Sequence, residues 1–507
     1  MIRRRTTTGL GALLAAATIL TALPAASGAP TDGTDHEAAG VDACRPAAAV
    51  DGLGAGFPVD DQAIPATGTV HATTVFVDFS DAPAGADTLG AAGDNLRSGV
   101  DYLEDISGGR LALQVAASDS WVRMPEPSTA YPFERGLTYA EHVRYIEDAV
   151  AAADPSVDFS DTDVVWVVAT AEAEAISYSP TTNFLDVTVD GNRLTHAVTI
   201  GADQWSWGGL VLAHESGHTF GLPDLYLTEA PADDPGNHHA AVGGWDLMGL
   251  ISGHAPELFT WSRWQLGWID DEQVVCADGT TPSSAELVPV PATASADASQ
   301  DAMLVLPVGA TTAVVVENRQ RTGYDDGALA TGALVYTVDT SVRSGDGPLR
   351  VVDATPGSAA GLDDAPFGPG DRWTEPTTGA TLTFATAEDQ GSADGAPVLT
   401  VTVEPDTSAT PPLDLDTVVQ PRCLGGRGFL AVRVQNGTDV PVSVTVDTPY
   451  GTRTVEDVAP DRYVHRTFGT RSPAVPAGTV SVTGHAVVGG EDVTSTEDVP
   501  FEAFTCD

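Results

Sequence analysis

Two histidines four residues apart, with a glutamate after the first, stand in His214-Glu215-Ser216-Gly217-His218. On a helix, side chains four apart share a face, so His214 and His218 can offer two imidazole nitrogens to one tetrahedral zinc. Glu215 sits one step round the same helix end, within reach of a water in the metal's open position without ligating the metal itself. Gly221 lets the chain leave the helix in a conformation other residues resist, which allows Asp224 to turn back as a third ligand. Three protein ligands leave a fourth position open, as a catalytic zinc requires. The five-residue motif arises by chance in roughly one chain in a hundred, and Gly221 with Asp224 cuts that by about another factor of a hundred. A plainer reading, a helix with two hydrogen-bonded histidines and a surface glutamate, leaves the glycine at its end unexplained. In a different zinc class the third ligand is a glutamate on a following helix, a part open to Glu257.

These residues need a scaffold that presents one helix end at a cleft. Thr74 to Phe79 and Val164 to Ala169 are buried-strand patterns, Asn95 to Ile106 and Tyr139 to Ala152 have helical spacing, and Arg110 to Val122 alternates as a strand. That order points to a mixed sheet with helices packed on it. The motif helix is predicted from about Trp207 to Thr219, stopped by Gly221-Leu222-Pro223, and a second helix from Pro256 to about Leu266, with Trp261, Trp264 and Leu266 on its apolar side. An extended substrate is expected to pair with a strand edge within Asp186 to Ile200. The fold class is α+β, with the catalytic domain over residues 69–279. Residues 280–403 are read as a β-rich region continuing the catalytic unit, 404–412 as a linker, and 413–507 as a C-terminal β-sandwich. Residues 30–68, rich in Ala, Gly, Asp and Pro, read as a propeptide or loose N-terminal extension.

Composition narrows the partners. The chain has 507 residues and a formal charge of −48, and all 23 of its basic residues are arginine. A nucleic-acid-binding face is not expected from so acidic a surface. The charge reads as a solvated surface or, more sharply, as structural calcium sites in acidic loops. Asp233-Asp234, His238-His239 and Asp325-Asp326 are the candidates for calcium or a second metal. Residues 1–29 read as a signal peptide: Arg3-Arg4-Arg5, an apolar run from about Leu10 to Leu23, then Ala25, Ala26, Ser27, Gly28 and Ala29. No later stretch is apolar enough to span a membrane, and secretion into the medium is expected. Four cysteines in an exported chain suggest two disulfides, Cys44 with Cys276 and Cys423 with Cys506. A competing reading places the Cys44 thiolate on the metal of a latent enzyme and leaves Cys276 unpaired. No Gly-x-Ser-x-Gly elbow is present, so a serine hydrolase has no support.

The extended motif resembles the metzincin zinc peptidases, and Gly221-Leu222-Pro223-Asp224-Leu225-Tyr226 resembles the immune-inhibitor-A-type family within them. Gly243-Gly244-Trp245-Asp246-Leu247-Met248 is similar to that family's Met-turn, and Ser262 to Trp268, Val316 to Gln320 and Val335 to Asp339 to its downstream blocks. The resemblance implies zinc ligands His214, His218 and Asp224, Glu215 as catalytic base and Met248 beneath the metal. Some metzincins carry an oxyanion-stabilising tyrosine two residues after that methionine; here the position is Leu250, which leaves Tyr226 and His254 as candidates. The expected protein is a secreted zinc endopeptidase made as a precursor, a monomer acting on protein or peptide substrates. Its sandwich would take a cell-wall, carbohydrate or protein ligand. The alternatives are an exported surface-binding or adhesion protein with an inactive protease-like domain, and an esterase or amidase using the same metal.

Overall fold

The computed structural model describes residues 40–506, apart from 86–87, 132, 134–135, 233, 295–299, 392–394, 407–412 and 489–490. The expected signal peptide, the first ten residues of the expected extension, Asp233 and most of the expected linker therefore lie outside the described residues.

The first large sheet is built from β1 (Gly68–Asp78), β2 (Leu111–Ala117), β3 (Val122–Arg123), β4 (Val164–Ala169), β5 (Thr181–Thr182) and β8 (His196–Ile200). Its order is β2-β1-β4-β8-β5, with β3 extending the β2 side of β1; every pair is parallel except β5 on β8. A hairpin of β6 (Val187–Val189) and β7 (Asn192–Leu194) stands apart from it. Both faces are covered, which explains the unbroken apolar runs in β1 and β4. Helix α2 (Tyr139–Ala153) packs Tyr145, Ile146 and Ala149 against Val75, Val77, Val165 and Val167 on one face. On the other face lie α1 (Thr88–Ile106), α3 (Gln204–Trp207) and α4 (Leu210–Thr219), with Leu96, Leu103, Val211 and Leu212 meeting Phe76, Trp166 and Val198.

The motif helix is shorter than its spacing predicts because the chain breaks at Gly208, whose φ is +71°. Close approach of α1 and α4 fixes the break: a Cβ on Gly209 would meet Asn95 O at 2.1 Å, and one on Gly99 would meet Gly209 O at 2.3 Å. The second predicted helix is also shorter, α5 (Thr260–Gln265). Residues before it stay extended because the Asp325 and Asp246 carboxylates accept the Glu257 and Phe259 amides, at 3.0 and 2.6 Å.

A five-stranded sheet follows, made of β9 (Val274–Cys276), β11 (Met303–Pro307), β12 (Thr312–Arg319), β13 (Gly332–Asp339) and β14 (Leu349–Val351). Alternate residues point to opposite faces of a strand. Accordingly Ala313 and Val315 of β12 enter the core shared with α4, while Val314 and Val316 face a four-stranded sheet of β10 (Ser283–Leu287), β15 (Arg372–Thr374), β16 (Thr381–Gly391) and β17 (Pro397–Glu404). Beyond this, one apolar core joins a three-stranded sheet (Leu415–Leu424, Arg427–Asn436, Tyr463–Gly469) and a four-stranded sheet (Gly451–Val458, Val442–Thr448, Gly478–Val488, Glu491–Phe501). Disulfides join Cys44 to Cys276 and Cys423 to Cys506. Cys44 is therefore not a thiolate available to a metal.

The described part of the expected loose extension is not loose. Residues 40–67 bury Cys44, Ala55, Ile64 and Ala66 in the main core, and Phe57 sits edge-on between Trp261 and Trp264. Ala, Gly and Pro give this stretch no periodicity, so its packing had no sequence signal. Among the described residues no helix is long and apolar enough to cross a membrane.

Candidate metal centre

His214 and His218 are on the last turns of α4, all of whose residues from Val211 to Thr219 are buried. Gly221, at φ +100°, turns the chain so that Asp224 comes back to them. One Asp224 oxygen, Oδ1, stands 3.3 Å from His214 Nε2 and 3.2 Å from His218 Nε2. Two donors each about 2.05 Å from a tetrahedral ion stand about 3.3 Å apart, so the spacing suits one zinc-sized cation. The tautomers agree with it: His214 Nδ1 donates to Leu247 O at 3.0 Å and His218 Nδ1 to Leu222 O at 2.8 Å. Carbonyls only accept, so each Nε2 turns a lone pair toward Asp224. Asp224 Oδ1 is buried with no hydrogen-bond donor. Three converging acceptors repel unless a cation or a proton lies between them. Without a metal, burial pulls the His218 imidazole down but the Asp224 carboxylate overrides it and holds it up at about 9. Asp224 in turn is held far below the carboxylate range: the two imidazoles outweigh its burial. Among the described residues this is the group of three or more His, Cys, Asp or Glu able to hold a metal.

Supports for the site come from four separate parts of the chain. Met248 lies under the helix, where a Cβ on Gly217 would come 2.8 Å from its Sδ. Asp246 accepts the Met248 amide at 2.7 Å, fixing the turn whose Leu247 carbonyl orients His214. Burial pushes the Asp246 carboxyl up to about 7, against the pull of the Phe259 and Met248 amides. Behind it, Arg319, wholly buried, donates to Trp245 O at 2.6 Å and pairs with Glu317 and Asp325 at 2.6 and 2.7 Å. The loop after β13 grips Asp224: its amide donates to Ser344 Oγ at 2.8 Å, and Gly345 N donates to its carbonyl at 3.1 Å. From β5, Thr181 Oγ1 donates to Glu215 Oε2 at 2.8 Å, and from just after it Asn183 Nδ2 donates to His218 O at 2.8 Å. Burial raises the Glu215 carboxyl above its ordinary range despite both histidines and Thr181. A carboxylate raised in this way is a better proton acceptor near neutrality.

The centre opens into a cleft of about 760 Å³. No family model matches the chain, and no curated protein does. Among solved structures it is similar to the catalytically inactive OgpA from Akkermansia muciniphila, in complex with an O-glycopeptide (glycodrosocin) substrate. The two are 9% identical, with 87% of this chain and 95% of that one covered, at a TM-score of 0.19. Wild-type OgpA gives 10%, 86%, 94% and 0.20. The putative ApaA protein from Bordetella pertussis is 20% identical over 19% of this chain and 96% of that one, at a TM-score of 0.13. Function has to be read from the chain's own residues.

His214, Glu215, His218 and Asp224 line the cleft together, and Tyr226 joins them, its ring stacked 6.5 Å from that of His214. His254 is not in the lining; a Cβ on Gly327 would meet its carbonyl at 2.9 Å. Glu257 is no alternative ligand, being buried against Arg263. Asp325 is tied to Arg319, and His238 and His239 donate from Nδ1 to Leu227 O and Gly249 O. Among the described residues none of Asp186 to Ile200 lines this cleft; Ser177 to Phe184 are part of its lining, and β5 pairs with β8 there. Nothing in the sequence marks a role for Thr181, Asn183 or Ser344. Their residue types are too common to signal one, whereas Asp246 lay inside a quoted motif.

Proposed function

We propose that the chain is a zinc-dependent endopeptidase acting on extracellular proteins. The observation that carries this reading is the Asp224 oxygen equidistant from two imidazole Nε2 atoms, beside a buried Glu215 at an open cleft. When bound, zinc supplies a Lewis acid that lowers the pKa of a water to about 7 and polarises a carbonyl. Glu215 takes the proton of the attacking water and passes it to the departing amine nitrogen. Thr181 fixes the Glu215 oxygen it donates to and leaves the other carboxylate oxygen for the proton. Tyr226, on the cleft wall beside His214, is the candidate to donate to the developing oxyanion. An extended peptide would lie along Thr181–Phe184, adding backbone hydrogen bonds with little sequence demand.

The test is hydrolysis of unfolded casein by the exported protein, beside Glu215→Ala and beside wild type stripped by a chelator. The expected outcome is cleavage by wild type, a loss of about 10²–10⁴-fold in the variant, and recovery of the stripped sample with zinc. Equal silence of zinc-loaded wild type and variant would transfer the reading to a binding protein with a protease-like fold, and cleavage of esters alone to an esterase.

A further inference from the structure

The N-terminal stretch before β1 has the composition of a removable segment and the contacts of a permanent one. Cys44 joins it covalently to Cys276, so a cut after Cys44 leaves the Cys44 peptide attached. Its carbonyls satisfy buried donors of the catalytic part. Trp261 Nε1 donates to Ala55 O at 2.9 Å, Gln265 Nε2 to Gly56 O at 2.9 Å, Trp268 Nε1 to Ala66 O at 2.7 Å, and Thr340 Oγ1 to Ala47 O at 2.8 Å. Removing it would strip Phe57 from Trp261 and Trp264 and the carbonyl acceptors from Trp261 and Trp268, indoles each at most 3% exposed. Buried donors left unpaired and apolar rings left in water are both costly.

The same stretch reaches the metal centre. Ile64 N donates to Thr219 O at 2.8 Å, capping the end of α4, and Val59 and Ala63 lie against Gly221, the exit glycine, with 3.3 and 3.4 Å to an added Cβ. Gly52, Leu53, Asp60 and Gln62 then form one side of the cleft. None of these residues belongs to the ligand group; they line the cleft beside it.

Among the described lining residues the acidic side chains are Asp60, Glu215 and Asp224, and no arginine is present. A divalent cation at the centre would offset the charges of Glu215 and Asp224, leaving the Asp60 carboxylate as the net charge of this lining. We propose that residues 40–67 are retained in the mature molecule as a wall of the cleft, and that Asp60 on this wall selects substrates with a cationic side chain near the scissile bond. Retention is independent of the peptidase reading; the role of Asp60 as selector rests on it.

Retention is tested by mass spectrometry of the exported protein, reduced and unreduced. Residues 40–67 are expected in the exported species, and a species beginning after Thr67 with no Cys44 peptide bound through Cys276 overturns it. The selector is tested with paired peptides carrying Arg or Glu at each position flanking the cleaved bond. Wild type is expected to favour Arg, and Asp60→Asn to lose about fivefold of that preference in KM with kcat and zinc content unchanged. An unchanged Arg-to-Glu ratio overturns the role of Asp60, as does a loss confined to kcat. Calorimetric binding of the same peptides to Glu215→Ala reads the ratio without turnover. If neither peptide binds and wild type cleaves nothing, the peptidase reading fails and the selector with it, while the mass of the exported chain still decides retention.

Discussion

The region before residue 405 and the C-terminal sandwich bury their side chains by different rules. Around the candidate metal centre Glu215, Asp246, Glu257, Arg263, Glu317, Arg319 and Asp325 are all buried, whereas the described residues of the sandwich bury Asn436 and Thr448 and no charged side chain. Its core is almost wholly Val, Leu and Phe. Burying charge costs several kcal/mol per ion unless each is paired and hydrogen-bonded, so it gives no stability advantage over an apolar core. What it supplies is direction: Arg319 and Asp246 hold a turn whose single carbonyl sets the orientation of His214. The described residues of the sandwich show no such centre; its core is apolar, tied by the Cys423–Cys506 disulfide and the Asn436 hydrogen bonds.

The difference can be broken most severely at Arg319. Arg319→Met leaves Glu317 and Asp325 without their buried partner and is expected to destabilise the region by about 3–5 kcal/mol. All nine tryptophans precede residue 413, so denaturant unfolding followed by indole fluorescence reads this region and not the sandwich. An unchanged midpoint would mean that the buried charges do not hold the region together.

Acid should separate the two regions next. His142, buried against Thr199 at 2.9 Å on the cleft wall, has its pKa lowered to about 4 by burial. Between pH 6.5 and 4 the unfolded chain binds a proton there that the folded chain does not, so stability is complete above pH 6.5 and is lost as pH falls, by about 3 kcal/mol. His142→Gln should flatten that dependence in the tryptophan signal; a slope equal to wild type would place the acid sensitivity elsewhere.

Ser344→Ala removes an acceptor from the Asp224 amide without touching a ligand. Zinc affinity, measured by chelator competition, is expected to fall about 10–100-fold with the melting temperature almost unchanged. No change in affinity would show that Gly345 alone is enough to hold the loop.

The smallest effect is expected in the sandwich. Asn436 donates to Val440 O and Val458 O, both at 2.8 Å, and Asn436→Ala should cost about 1–2 kcal/mol there. Far-ultraviolet melting should record that loss while casein cleavage stays at the wild-type rate; a fall in cleavage would tie the sandwich to the site.

The convergence of His214, His218 and Asp224 was legible in the sequence because it is local. Helix periodicity puts His214 and His218 on one face, and Gly221, at its positive φ, can turn the chain toward Asp224 within a few residues. Strands such as Val164–Ala169 were legible for the same reason, their pattern being carried by neighbouring residues. Helix ends at Gly208 and Thr260 were not, since contact with α1 and capture of amides by Asp246 and Asp325 set them.

By itself, then, the sequence put forward His214, His218 and Asp224 as one group with Glu215 beside it, and proposed the two cysteine pairs that the structure joins. Only the tertiary structure decided what holds and surrounds them. Ser344 meets Asp224 across 120 residues of chain, Thr181 meets Glu215 across 34, and the stretch before β1 becomes a wall of the cleft rather than a loose extension. Such contacts depend on how sheets and helices pack against one another, and hydroxyl, glycine and alanine residues carry no pattern along the chain that announces them.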